Sequence, residues 1–193
     1  VKGEGGISEE DMSEGRIQIF TGTGRGKTSA AFGTALRCAA QGESVVIIQF
    51  LKRRAEEREL EFYKRLEPEI RIFRFERGEK SYLTCDEKTR EEETENIRNG
   101  LGFARKVLDT AECDMLIMDE VLGLVDNHII TTRELGELLG HRGETEVILT
   151  GITLDDEMLS YADEISEISP VNFRRFGSAE KEQDTEGGNH VSI

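Results

Sequence analysis

Thr21-Gly22-Thr23-Gly24-Arg25-Gly26-Lys27-Thr28 is a glycine-rich turn that closes on Lys-Thr. A short apolar run at 16–20 precedes it and a helix-forming stretch over 28–41 follows, so the context reads strand, loop, helix. The backbone N–H groups of such a loop turn inward, and the helix behind it adds a positive N-terminal end. Together they make an anion site. Lys27 would set an ammonium against phosphate and Thr28 a hydroxyl in the shell of a divalent cation, while Gly22, Gly24 and Gly26 keep the turn permissive. The general phosphate-loop pattern is G-x-x-x-x-G-K-[ST], and this chain has Thr21 at the first glycine. A dinucleotide fingerprint fits worse, because its third glycine falls on Lys27 when counted from Gly22 and on Ser29 when counted from Gly24.

Outward from the loop, strands and helices alternate. Residues 45–50 are a continuous apolar run, as in a parallel strand covered on both faces, and further strands are expected at 70–75, 115–118, 147–150 and 165–168. Helices are expected over 55–66, 86–110 and 155–162, with another entered at Thr131 through a capping box to Glu134. This alternation predicts an α/β fold: a doubly wound, mostly parallel sheet of five or six strands, of the P-loop nucleotide-binding type. The domain is expected over 16–172, with a flexible acidic segment at 1–15 and a disordered tail at 173–193.

Composition narrows the function. The chain has 193 residues, 34% of them charged, and a net charge of −15. Most of the excess acid sits in three short runs, with −4 at 1–15, −4 at 86–95 and −3 at 179–193. An acidic surface disfavours nucleic acid, whose binding rests on clustered Lys and Arg. No apolar run is long enough for a membrane span and no signal-peptide pattern opens the chain. Cys38, Cys85 and Cys113 are scattered and odd in number, so neither disulfides nor zinc are expected and a cytoplasmic location fits. His128, His141 and His190 are likewise scattered.

Asp119 and Glu120 end the apolar strand at 115–118. Carboxylates at a buried strand end are costly to desolvate without a cation, which predicts a metal-related role beside the phosphates. Lys52 and Arg53 follow the second strand, at the edge where open parallel sheets bind ligands.

With these residues in view, the chain resembles the P-loop ATP:corrinoid adenosyltransferases. The likeness runs over about residues 16–172: the loop and its continuation through Ser29, Arg37, Gln49-Phe50-Leu51-Lys52, the Met118-Asp119-Glu120 strand end, Leu149-Thr150-Gly151, and Tyr161-Ala162-Asp163. Members of that family share the Thr-Gly-x-Gly-x-Gly-Lys-Thr loop, so Thr21 belongs to the particular pattern. The resemblance implies transfer of the 5′-deoxyadenosyl group of ATP to a Co(I) corrinoid, with release of triphosphate. It implies nucleotide binding by Gly22, Thr23, Gly24, Arg25, Gly26, Lys27, Thr28, Ser29 and Arg37. Catalytic roles fall to Lys27, Arg37 and Glu120, and Mg2+ (or Mn2+) to Thr28, Asp119 and Glu120. Lys52, Arg53 and Tyr82 are expected to meet the corrinoid, and a homodimer and a flavoprotein reductant are implied. Two positions depart from the family pattern: Ile152 stands where an Arg follows Thr-Gly, and 77–82 replaces an aromatic segment. A P-loop ATPase, with Glu120 orienting water, or an ATP-binding regulatory protein is the alternative.

Overall fold

A computed structural model describes residues 14–52, 55–75, 82 and 85–170. The strands are β1 (Ile17–Thr21), β2 (Val45–Gln49), β3 (Ile70–Arg74), β4 (Met115–Asp119), β5 (Glu146–Thr150) and β6 (Glu164–Glu167). They form one six-stranded sheet in the order β3-β2-β4-β5-β1-β6. Every pairing is parallel, so the sheet is wholly rather than mostly parallel. The helices are α1 (Lys27–Ala40), α2 (Glu57–Lys64), α3 (Glu87–Asp109), α4 (Leu122–Asp126) and α5 (Thr132–Leu139), with a 3-10 helix at Asp156–Ser160.

The strands' alternation divides the core in two. Ile17 and Ile19, Val46 and Ile48, Leu116 and Met118, and Val147 and Leu149 point to the α3, α4 and α5 side. Val45, Ile47, Met115, Ile117 and Ile148 point to the α1 side, where Ala31, Ala35 and Cys38 form the sheet-facing stripe of α1. Each large aliphatic side chain removed from water in this way contributes about 1.5–3 kcal/mol. Small residues on α1 let that helix lie close to the sheet, so its N-terminus meets the strand ends directly.

Local sequence sets the helix starts. Thr131 caps α5 through the predicted box, accepting from the Glu134 amide while Glu134 accepts from the Thr131 amide at 2.7 Å. Asp86 caps α3 by accepting from the Thr89 amide at 3.0 Å. The helix expected over 155–162 is a single 3-10 stretch capped by Asp155. α4 was not expected: five residues with buried Leu122, Gly123 and Leu124 are too short to show a helical period. The charged edge strand β6, Glu-Ile-Ser-Glu, is exposed along its length except at Ser166 and closes the sheet beside β1.

Burial also fixes the thiols. Cys38 is pushed up to about 12 by burial and by its bond to Glu43, and Cys113 to about 11 by burial. Almost no thiolate exists at either site near neutrality, and thiolate is the reactive form. Brief iodoacetamide treatment of the native protein at pH 8 should therefore leave Cys38 and Cys113 unmodified, with both alkylated after denaturation. Peptide mapping by mass spectrometry reads the outcome.

Candidate active site

The loop between β1 and α1 is braced from behind. Thr21 Oγ1 donates to the Ile152 carbonyl at 3.0 Å and the Gly22 amide donates to the same oxygen at 3.2 Å. The Gly24 amide donates to the Ile168 carbonyl at 2.7 Å. A Cβ on Gly24 would lie 2.6 Å from that backbone oxygen, so glycine is required there by the close approach of the chain leaving β6. Gly26, with φ +121, is required by its backbone conformation instead. The amides of Gly22 and Gly24 thus hold the loop's frame. The first helical bond runs from Ala30 to Gly26, so the amides of Lys27, Thr28 and Ser29 lie outside the helical ladder at the positive end of α1. Thr23 and Arg25 are exposed on the loop, and Ser29 is exposed in the first turn of α1. Lys27 is buried, and its ammonium donates to the carbonyls of Gly22 at 2.7 Å and Gly24 at 3.0 Å.

Asp119 lies at the centre of the strand ends and is fully buried. Its Oδ1 accepts from Thr28 Oγ1 at 2.9 Å and from Thr150 Oγ1 at 2.7 Å. Its Oδ2 accepts from Gln49 Nε2 at 3.1 Å and faces Lys52 Nζ at 3.4 Å. Thr150 in turn accepts from the Glu120 amide at 2.8 Å, which fixes the turn that presents Glu120. Glu120 has φ +64, an uncommon conformation outside glycine, and its carboxylate lies 3.8 Å from Lys52 Nζ. Thr28, Asp119 and Glu120, expected together at a metal, are brought together here.

Behind Asp119 a second layer of polar groups extends to α2. Gln49 is buried, and its carbonyl accepts from Arg74 Nε at 3.0 Å and Nη2 at 2.7 Å. Because arginine can only donate, Gln49 must turn its NH2 toward Asp119. Arg74 also pairs with Glu59 at 3.0 Å, and Tyr63 donates to Glu59 at 2.5 Å. Burial and Glu59 push the Tyr63 phenol up to about 12, while that bond and the Arg74 charge hold Glu59 below the usual carboxylate range. A cavity of about 540 Å3 opens between α1 and α2 beside Thr28, walled by Phe32, Leu36, Phe62 and Tyr63 with Lys52 at its rim. Gln49, Thr150, Arg74 and Glu59 were not assigned roles from sequence. The available signals were a glutamine ending an otherwise apolar strand and the place of Gln49 and Thr150 in the family-like segments.

Other expected site residues lie apart. Arg37 is exposed in the last turn of α1, about 15 Å along the axis from Lys27 at the helical rise, so the structure does not bring it to the loop. Ten residues is nearly three helical turns. Tyr82 lines a separate cavity along α3, its hydroxyl 3.0 Å from Thr94 Oγ1 and its ring packed on the core. Lys52 lies on the acidic pair and also at the rim of the cavity beside Thr28. Arg53 falls outside the described residues, as do 77–81.

The profile of the family described as ATP:corrinoid adenosyltransferase BtuR/CobO/CobP matches residues 13–181. The chain belongs to the ATP:corrinoid adenosyltransferase family. It is 30% identical to the corrinoid adenosyltransferase of Escherichia coli strain K12, over 86% of this chain and 82% of the relative. The corrinoid adenosyltransferase CobA of Salmonella typhimurium is 29% identical over the same shares. Among solved structures, a KaiC-like protein from Pyrococcus horikoshii OT3 shares the fold, with a TM-score of 0.54 and 18% identity over 83% of this chain and 75% of that one. This adenosyltransferase therefore carries the loop, the acidic strand end and the Thr150 bridge on a nucleotide-binding sheet. Among the described residues, no helix is long and apolar enough to cross a membrane.

The Thr21 brace can be tested by itself. Thr21→Val removes one hydrogen bond to Ile152 and leaves the Gly22 bond in place, so it should cost about 0.5–1.5 kcal/mol in urea unfolding. Thr21→Ser should stay close to the wild type.

Proposed function

We propose that this enzyme transfers the 5′-deoxyadenosyl group of ATP to a Co(I) corrinoid and releases triphosphate. The observation that carries the reading is the Thr28–Asp119–Glu120 cluster set against the amide-lined end of α1, which suits a metal-bound triphosphate leaving group. The cobalt electron pair attacks the ribose C5′, the C5′–O bond breaks, and its electrons leave on the triphosphate. The nucleophile comes from the second substrate, so the protein's part is positioning and charge stabilisation.

The donor set fits magnesium. A threonine hydroxyl and two carboxylates are hard oxygen ligands, and no group of three or more His, Cys, Asp or Glu side chains suited to a metal occurs among the described residues. Mg2+ is commonly held by one or two carboxylates together with substrate phosphates, which is what this cluster offers. Bound there, the cation would neutralise charge developing on the leaving triphosphate. Lys27 would place its third N–H on the same oxygens, and the amides of Gly26 to Ser29 would orient them. Thr23 and Arg25 would flank the chain of phosphates from the exposed side of the loop. The cavity beside Thr28 gives the corrinoid an apolar wall on the same sheet edge. Family likeness supports a homodimer, a flavoprotein supplying Co(I), and a cytoplasmic location.

Two measurements test this. With ATP, Mg2+ and chemically reduced cobalamin, phosphorus NMR should show triphosphate in equal amount to light-sensitive adenosylated product, and almost no turnover without corrinoid. ADP and phosphate formed at a rate indifferent to corrinoid would instead establish a P-loop ATPase, with Glu120 orienting water. Separately, Lys27→Ala should keep the fold but weaken Mg-ATP binding by at least about tenfold, since a charge-assisted contact is worth about 1.5–3 kcal/mol. Titration calorimetry giving wild-type affinity would remove Lys27 from the phosphate site.

A further inference from the structure

Lys52 stands where a cation belongs. Its Nζ lies 3.2 Å from Thr28 Oγ1, 3.4 Å from Asp119 Oδ2 and 3.8 Å from Glu120 Oε2. These are the oxygens of all three residues assigned to magnesium. The side chain is 28% exposed, so it keeps a route outward, whereas the Asp119 side chain has no exposure at all.

The backbone on both sides is bent to make this meeting. Leu51, the residue before Lys52, has φ +52, and Glu120 has φ +64. A left-handed conformation at a bulky residue such as Leu51 is a true outlier that the surrounding structure must hold in place. Leu51 is held in it by packing onto Gly123, where a Cβ would come within 2.9 Å of Leu51 Cδ1. The bend turns the chain leaving β2 so that Lys52 crosses over the end of β4. A buried carboxylate without a compensating charge is strongly unfavourable, and Lys52 supplies that charge.

We propose that Lys52 is an internal counter-cation that holds the oxygens of Thr28, Asp119 and Glu120 until a nucleotide brings its divalent cation, and then turns to the polyphosphate. The proposal rests on the reading that these three residues hold the metal. A divalent cation and the ammonium compete for the same oxygens and repel each other at this range, so metal alone binds poorly. Phosphate changes the balance twice, by adding metal ligands and by offering Lys52 a new anion. Metal and nucleotide therefore enter together, and Lys52 enforces it.

The test uses the full chain and two probes that involve no corrinoid. Free Mn2+ is followed by electron paramagnetic resonance during titration into wild type, Lys52→Met and Lys52→Gln. ATP in chelator is titrated calorimetrically into the same proteins. Removing the ammonium should tighten Mn2+ binding by at least about tenfold and weaken metal-free ATP binding by about tenfold. Lys52→Arg, which keeps the charge, should behave as wild type in both. A residue that only held the fold would weaken both, so the opposite signs identify the exchange. Equal Mn2+ affinity in wild type and a folded neutral variant would overturn the proposal. If neither neutral variant folds, tight stoichiometric Mn2+ binding to the wild type without nucleotide overturns it equally. Wild-type ATP affinity indifferent to Mg2+, together with unchanged Mg-ATP affinity in Glu120→Gln, would sink the metal assignment itself and the proposal with it. Adenosyl transfer would stand in every case.

Discussion

A fully buried carboxylate must be met by donors, and Asp119 is met by donors from four directions. Thr28 comes from α1, Gln49 from β2, Thr150 from β5, and Lys52 from the turn after β2. The sheet order makes this possible. β4 runs between β2 and β5, with Gln49 paired in register to Asp119 on one side and Thr150 one step beyond the Met118–Leu149 pair on the other. α1 then arrives from the β1 loop to supply Thr28 from above the edge. The electrostatic requirement of one side chain thus links the C-terminal ends of three strands to the N-terminal end of one helix, at the edge where open parallel sheets place their ligands. An apolar residue at 119 would relieve the desolvation cost, but it would leave Thr28, Thr150 and Gln49 with donors turned toward nothing.

The insertion of β5 between the loop strand and the acidic strand has a second consequence. The chain leaving β5 passes under the loop, and its Ile152 carbonyl takes both the Thr21 hydroxyl and the Gly22 amide. The chain leaving β6 does the same for Gly24 from the other side, through Ile168. A glycine at 21 would lose the hydroxyl bond. Threonine at this position is therefore explained by the neighbouring strand exits rather than by phosphate. The loop is anchored by its first half, and its second half, the start of α1, keeps its amides outside the helical ladder.

Much of the fold was legible in the sequence because parallel strands covered on both faces are continuous apolar runs. Residues 45–50 and 115–118 read that way, and both are strands within a residue or so. The loop and the capping box at Thr131 were legible because each depends on contacts within a few residues. What escaped depends on distant pairing. Nothing local in Thr150 shows that β5 will lie beside β4, and nothing in Arg74 or Glu59 shows that they will orient Gln49. Arg37 and Tyr82 each stand near a motif in sequence; helix rise puts Arg37 nearly three turns from Lys27, and packing along α3 puts Tyr82 at another cavity, neither of which is legible locally.

The chemistry of the site follows from how its charges are matched. The carboxylates of Asp119 and Glu120 face Lys52, the Lys27 ammonium is held by loop carbonyls, and the flanking Glu59 is met by Arg74. Tyr63, the phenol beside the site, is held in its unreactive form, pushed up to about 12 by burial and by Glu59. The site is built of matched charges. It is well suited to a reaction whose attacking electrons come from one substrate and leave on the other, because there the barrier is lowered by alignment and by stabilising charge on the departing oxygens. A buried Asp119 suits that role by being rigid: Thr28, Thr150 and Gln49 hold three of its lone-pair directions, so it can position Thr28 without moving, and only the direction facing Lys52 is left to exchange.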